Sequence, residues 1–561
     1  MRRFKVLSAF VALAVWLTAC GGQPTATQVA PVAEAPQATE APPPASPAVL
    51  HIGWLGKPDT LNPAYAFLTE SYTVFDLIYT PLTTEAPDGS YVGGLAKDWS
   101  VANDNLTWTF HLKDGIKWHN GEDLTADQVA WAINAIMADP DGWAALSGYV
   151  GGFSEVTAPD DKTIQIVTEY PIANMEYRVS FLYAVYPPDF ESFTTPEDLQ
   201  NFTNFEAIGT GMFKVNTFDK DTGVLILDAN KDYFDGSPKI DQVIFQTFDN
   251  SDAMIQALKV GDIDLINEVP ASAFASVQGF DGVKAIATDG RYFNELIINS
   301  VDPNNDPAPT GNPALADPVV REAIAYSINK QDIVDIVLQG LGTPADSIVP
   351  PTLGGGFWHS PNIKDVPFDT GKASSLLEDA GYVTGADGVR AKGDLRLEFR
   401  LQFPADNSVY PRIADMMANW FKEAGMKAIP EGVDSDSLIA ATTPAGDYDL
   451  VIWGWGPDPD PDFILSVMTT DQFVDGGWSD SGYHNPEYDQ LYLDQQQAVD
   501  KNDRQKIVWT MQEMVYNDRP YIVLYYEKLL QAYRSDRFTG FIESPIGIEA
   551  GLSLLNVEPV K

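Results

Sequence analysis

The 561-residue sequence predicts an α/β protein built from more than one domain. Three observations carry that expectation: alternating strand patterns dominate roughly residues 50–300, helix signals take over from Asp317, and strands recur between those helices. At about 100–200 residues per domain the length suits two to four domains. An apolar content of 45%, with 11% aromatic residues, supplies packed cores and rules out a disordered acidic chain.

The first element is an address. Arg2, Arg3 and Lys5 precede an apolar run from Val6 to Leu17, which has the length of a secretory h-region rather than of a membrane span. Leu17-Thr18-Ala19-Cys20, followed by Gly21-Gly22, resembles the lipobox of bacterial lipoproteins. Residues 1–19 are therefore expected to be a lipoprotein signal peptide and Cys20, the only Cys, the lipidated residue. Residues 20–48 are rich in Pro, Ala and Thr, carry no aromatic side chain and read as an extended tether. The expected location is the outer face of the cell membrane or the periplasm, reached through the lipid anchor alone, since no later apolar run is long enough to cross a bilayer.

Strands follow at Leu106–Leu112, Thr163–Val167 and Val224–Leu227, each alternating or continuously apolar. Thr125 caps a helix whose inner side is Val129, Ala132, Ile133 and Ile136. Asp317 and Pro318 start another, with Val320, Ile324 and Ile328 at four-residue spacing. Helices are predicted from Thr370 to Ala380, ended by Gly381, and from Pro411 to Ala424, ended by Gly425. The buried stripe of the last is Ile413, Met416, Met417, Trp420 and Phe421. Strands at Leu395–Leu401 and Tyr448–Trp453 make the second half a mixed α/β lobe, and Tyr521–Tyr526 is a strand expected to return to the first.

Seventy-nine acids against 35 bases give a formal charge of −44, which disfavours nucleic acid and anionic membranes as partners. One Cys excludes intramolecular disulfides and Cys-rich zinc sites. The five His residues show no metal-ligand spacing, and HExxH, GxSxG and P-loop motifs are absent, so no metal, cofactor or catalytic residue is assigned. His119, in Trp118-His119-Asn120-Gly121, reads as a hairpin-turn residue. The acidic run Asp458-Pro459-Asp460-Pro461-Asp462 fails as a calcium loop, because Phe463 and Thr469 stand where Gly and Glu are needed. Asp460 and Asp462 are expected to form a solvated acidic turn. Paired carboxylates among aromatics keep a secreted glycoside or peptide hydrolase as the alternative from another class.

Five blocks, in order, resemble the extracellular solute-binding proteins of family 5, the oligopeptide- and dipeptide-binding class of ABC importers. They are Leu61-Asn62-Pro63 with Asp76–Leu82; Gly94–Trp99 through Phe110–Gly121 to Leu124–Val129; Gly209-Thr210-Gly211-Met212-Phe213; Asp317–Ile324 with Ser327–Lys330; and Asp379–Tyr382 with Tyr448–Leu450 and Gly454-Trp455-Gly456. The resemblance implies a two-lobed periplasmic-binding-protein fold, class II-like, with an additional inserted α+β domain. The first lobe would comprise 49–85, 207–298 and 522–561, the insertion 86–206 and the second lobe 299–521.

It also implies a monomeric binding protein, not an enzyme, that captures short peptides between its lobes and delivers them to the transmembrane subunits of an ABC permease. Oligosaccharide is the alternative ligand within the family. By the same resemblance Asp458 is the acid that pairs with a ligand α-amine, and Glu70 is the first-lobe acid of the cleft. Trp455, Trp358 and Tyr483 are the aromatics expected around the ligand, since flat rings supply contact area at low entropic cost.

Overall fold

The computed structural model describes residues 47–301 and 309–561. The expected signal peptide, Cys20 and the tether up to residue 46 lie outside the described residues. No described helix is long and apolar enough to cross a membrane.

One mixed sheet organises the molecule. Its order is Lys427–Val433, Glu398–Pro404, Leu450–Trp455, Val283–Ile298, Tyr521–Arg534, Leu265–Ile266, Val49–Trp54, Gln242–Thr247, Val224–Ala229 and Phe213–Asp219. The first two strands and Leu450–Trp455 run parallel, and so do Leu265–Ile266, Val49–Trp54 and Gln242–Thr247. The two longest strands, Val283–Ile298 and Tyr521–Arg534, are antiparallel neighbours in the middle. Their pairing slips between Asp289 and Phe293, and again between Asn294 and Glu295.

On one side of that slip Leu530 and Ala532 pack with Met254, Leu258 and Phe274 of the first lobe. On the other, Ile522 and Leu524 pack with Phe399, Ile413 and Met417, while Tyr521 and Val523 face Tyr448 and Met511 on the opposite face of the sheet. Tyr521–Tyr526 therefore packs with side chains of the 299–521 segment, and the strand's continuation with residues 254–277.

Segment 86–206 contains its own four-stranded sheet, ordered Ala96–Val101, Thr107–Leu112, Thr163–Thr168 and Phe153–Asp160. The helix Ala126–Ala138 covers it with Val129, Ala132, Ile133 and Ile136 buried. Its apolar side chains join those of the first lobe in a continuous core, from Leu50 and Phe75 to Trp118 and Ile166.

Local chemistry explains the element boundaries. Gln128 accepts the amide of Thr125 at 3.1 Å, and Asp317 accepts that of Val319 at 3.0 Å ahead of the Pro318–Tyr326 helix. Gly381 and Gly425 end their helices at φ +88° and +83°, a backbone state that only glycine enters without cost. In Tyr410–Glu423 the deepest residues are Tyr410, Ile413, Ala414, Met417 and Phe421, with Met416 and Trp420 flanking them. His119 lies in the expected turn and also locks it to the 209–211 loop. Its Nδ1 accepts from the Gly209 amide at 3.2 Å, and its Nε2 faces the Gly211 carbonyl at 3.1 Å.

Candidate functional site

The strand Leu450–Trp455 ends at the sheet's C-terminal edge and releases the loop Gly456 to Pro461. A buried ion pair anchors that loop. Arg504, from the helix Lys501–Asp518, donates to both Asp460 oxygens at 2.6 and 2.5 Å, and its Nε donates to Gln495 at 3.0 Å. Trp358 covers the guanidinium, with its ring centroid 4.9 Å away. Asp460 is 3% exposed, and Asp462 accepts from Gln495 at 2.5 Å. The expected solvated acidic turn is thus a buried, charge-paired clamp, because Arg504 arrives from a helix more than 40 residues downstream in sequence.

With the loop fixed, the half-buried Asp458 points at the inserted segment, where Tyr177 donates its hydroxyl to Oδ2 at 2.7 Å. Burial raises the Asp458 carboxyl above its ordinary range. The Tyr177 bond pulls it down, Asp460 pushes it up, and Arg291 pulls it down again. Arg291 is itself ion-paired with Glu85, and burial lowers it to about 10. Tyr149 stands edge-to-face against Tyr177 and stacks on Phe181 at 4.6 Å.

Before the loop, Trp455 lies edge-on to Phe463 and Trp478, with centroids at 5.9 and 6.4 Å, and Trp478 is 52% exposed. The Trp455 indole N–H is shared between the Tyr521 hydroxyl at 3.1 Å and Asp480 at 3.3 Å. Burial lifts Asp480 to about 7. An open cavity of about 490 Å³ lies along the same strand end, lined by Tyr292, Asn294, Tyr410, Trp453, Gly454 and Glu527. Tyr410 donates to Asn294 at 2.6 Å and Asn294 to Glu527 at 2.7 Å. The exposed Tyr292 ring rests on Gly456, where a β-carbon would meet it at 2.5 Å. The surface therefore offers carboxylates, amide dipoles and flat rings, the chemistry that holds an amine and packs variable side chains.

Of the five residues expected around a ligand, the fold brings Asp458 and Trp455 to this edge. Trp358 borders a small cavity of about 60 Å³ with Tyr177 and Asp460, its ring given to Arg504. Tyr483 is inside the second lobe, 7% exposed, donating to Asp518 and accepting from Asn485 at 2.9 Å. Glu70, in the first turn of Thr69–Ile78, fills the space beside Gly56, where a β-carbon would collide with its carboxylate. Sequence reasoning did not find Tyr177, Arg291, Tyr292 or Asn294. Tyr177 is 281 residues from Asp458, and no spacing rule connects them.

Residues 90–475 match the model of the bacterial extracellular solute-binding proteins, family 5. The chain belongs to that family. The oligopeptide-binding protein AppA of Bacillus subtilis is 26% identical over 528 residues, covering 93% of this chain and 92% of its own. Heme-binding protein A of Haemophilus influenzae is 26% identical over 483 residues, covering 81% and 82%. Among solved structures, the ABC transporter substrate-binding protein CtaP of Listeria monocytogenes superimposes with a TM-score of 0.78 at 23% identity, over 92% of this chain and all of that one. The two-lobed binding-protein fold expected from the sequence is the fold observed.

Proposed function

We propose that the protein is the substrate-binding component of an ABC importer for short peptides, that it has no catalytic activity of its own, and that Cys20 tethers it by lipid outside the cell membrane. Asp458 carries this reading. A partly desolvated carboxylate that, among the described residues, accepts from a single neutral donor retains acceptor capacity for a ligand ammonium. Trp455 and Trp478 pack on each other at the end of the same strand, and Tyr292, Asn294 and Gly454 line the open cavity along it, a surface on which a peptide could lie. The name of the Bacillus relative supports peptide as the ligand class; that of the Haemophilus relative makes heme the competitor to exclude.

Closure would turn on the slipped pairing at Asp289–Phe293, bringing the first lobe over Asp458. Mass spectrometry of ligand released from the purified native protein, with thermal-shift screening of di- to pentapeptides, oligosaccharides and heme, tests the proposal. Peptide masses and peptide-specific stabilisation support it. Stabilisation by heme or sugar alone contradicts it.

A further inference from the structure

The stretch from Leu55 to Leu68 leaves large apolar side chains in water. Leu55, Tyr65, Phe67 and Leu68 are all exposed, Phe67 by 62%, and the Tyr65 and Phe67 rings meet edge-to-face at 4.7 Å. Single exposed apolar residues are ordinary, whereas a group of them on one short stretch marks a surface that something covers. The charges of the stretch are held locally. Lys57 donates to the Lys220 carbonyl at 2.7 Å, and Asp59 accepts the Phe67 amide at 3.0 Å and the Ser71 hydroxyl at 2.5 Å. The Glu70 carboxylate stands against Gly56, which sets the two ends of the stretch side by side.

Strand register places this surface. Through Leu265 and Tyr533, Ile52 is level with Lys284, while Trp455 pairs with Phe293. Val49–Trp54 and Leu450–Trp455 run in opposite directions, so the residues after Trp54 and those after Trp455 advance toward each other from the two sides of the slip at Asp289–Phe293. A shared cavity agrees with the register. Thr69, Tyr72 and Thr73, at the start of the helix that follows Leu68, line a space of about 280 Å³ together with Pro459, the neighbour of Asp458. On the opposing side Val474 and Trp478 are exposed, and the Trp478 ring packs on Phe463 at 5.5 Å as well as on Trp455. Apolar surface is thus uncovered on both sides of the slip.

We propose that these two surfaces receive the side chains of the ligand, Leu55, Phe67 and Leu68 on one side and Trp478 on the other, so that the preferred ligands are peptides whose residues after the first are large and apolar. The inference rests on the reading that Asp458 holds the amine of a peptide. Enclosing a leucine or phenylalanine side chain here removes its apolar area, and that of both surfaces, from water. A polar side chain of the same shape would instead lose its hydration without a partner.

Calorimetry with Ala-Leu-Leu and Ala-Asn-Asn, whose side chains are close in shape and differ in polarity, tests it on the full chain. The native protein is expected to bind the leucine peptide at least about tenfold more tightly. In Phe67→Ser/Leu68→Ser, and separately in Trp478→Ser, that ratio should fall to about threefold or less, with the affinity for Ala-Asn-Asn kept. Val260→Ser/Val383→Ser, which removes comparably exposed apolar residues elsewhere, should leave the ratio unchanged. Melting curves establish that each variant is folded, and either of the first two suffices. Equal or reversed affinities in the native protein, or a ratio unchanged in both of those variants, overturns the inference and leaves the peptide reading standing. An unchanged ratio with uptake through the importer lost assigns the surface to the permease and overturns it equally. Failure of both peptides to bind contradicts the peptide reading and, with it, this inference.

Discussion

Asp458 and Asp460 stand two residues apart in one loop and meet different partners. Asp460 is enclosed with Arg504, and Asp458 is left with a single tyrosine hydroxyl. Removing one member of an enclosed ion pair leaves the other charge buried, at a cost of about 3–5 kcal/mol. Arg504→Met should lose stability on that order in urea unfolding and should weaken ligand binding, because the loop carrying Asp458 loses its anchor. His119 behaves oppositely to the buried acids. Burial lowers it to about 4 from an ordinary 6.5, so the folded state prefers the neutral ring, which keeps its Nδ1 acceptor for Gly209. A depressed His value means stability that is present above pH 6.5 and lost as pH falls toward 4. The stability gap between the native protein and His119→Asn, measured by chemical unfolding, should therefore narrow from pH 7 to pH 4.5.

At the scale of elements, the proposed reading puts the ligand against the end of Leu450–Trp455 and the slipped middle of Val283–Ile298. Gly456 is glycine because the Tyr292 ring occupies the place of its β-carbon. Gly456→Ala should push that ring away and lower peptide affinity by about tenfold, whereas in a Tyr292→Ala background it should add little. A double-mutant cycle by calorimetry reads the coupling. Amphipathic helices such as Pro318–Tyr326 and Tyr410–Glu423 were legible from the sequence, the first through its Asp317 cap, Pro318 and apolar spacing, the second through its buried stripe and the glycine that ends it. The long crossing strands were not. Val283–Ile298 begins half-exposed and alternating and ends buried on both faces, and a periodicity that changes midway reads as two short pieces. The loop that carries Asp458 after Trp455 was legible through a family motif. Tyr177 and Arg291 were not, since only the folded chain brings the inserted segment and the crossing strand to the loop.

At the scale of the molecule, the excess of 44 negative charges is spread over the surface, but among the described residues Glu295 and Asp480 are buried without a cation beside them. Burial lifts Asp480 to about 7 and raises Glu295 as well. Folded-state values above the unfolded ones mean that the native state binds more protons between roughly pH 4 and 7, so stability falls as pH rises through 7. The melting temperature at pH 6 should exceed that at pH 8; an equal or lower value at pH 6 contradicts the assignment. The acidic field favours cationic ligands, and in the proposed reading Asp458 is where that preference acts. The most direct test of this account is the affinity of a short peptide and its N-acetylated form for the native protein and for Asp458→Asn. The native protein should bind the free-amine peptide at least about thirtyfold more tightly than the acetylated one, and Asp458→Asn should bind the two alike. Equal affinity of the native protein for both forms would contradict the role given to Asp458.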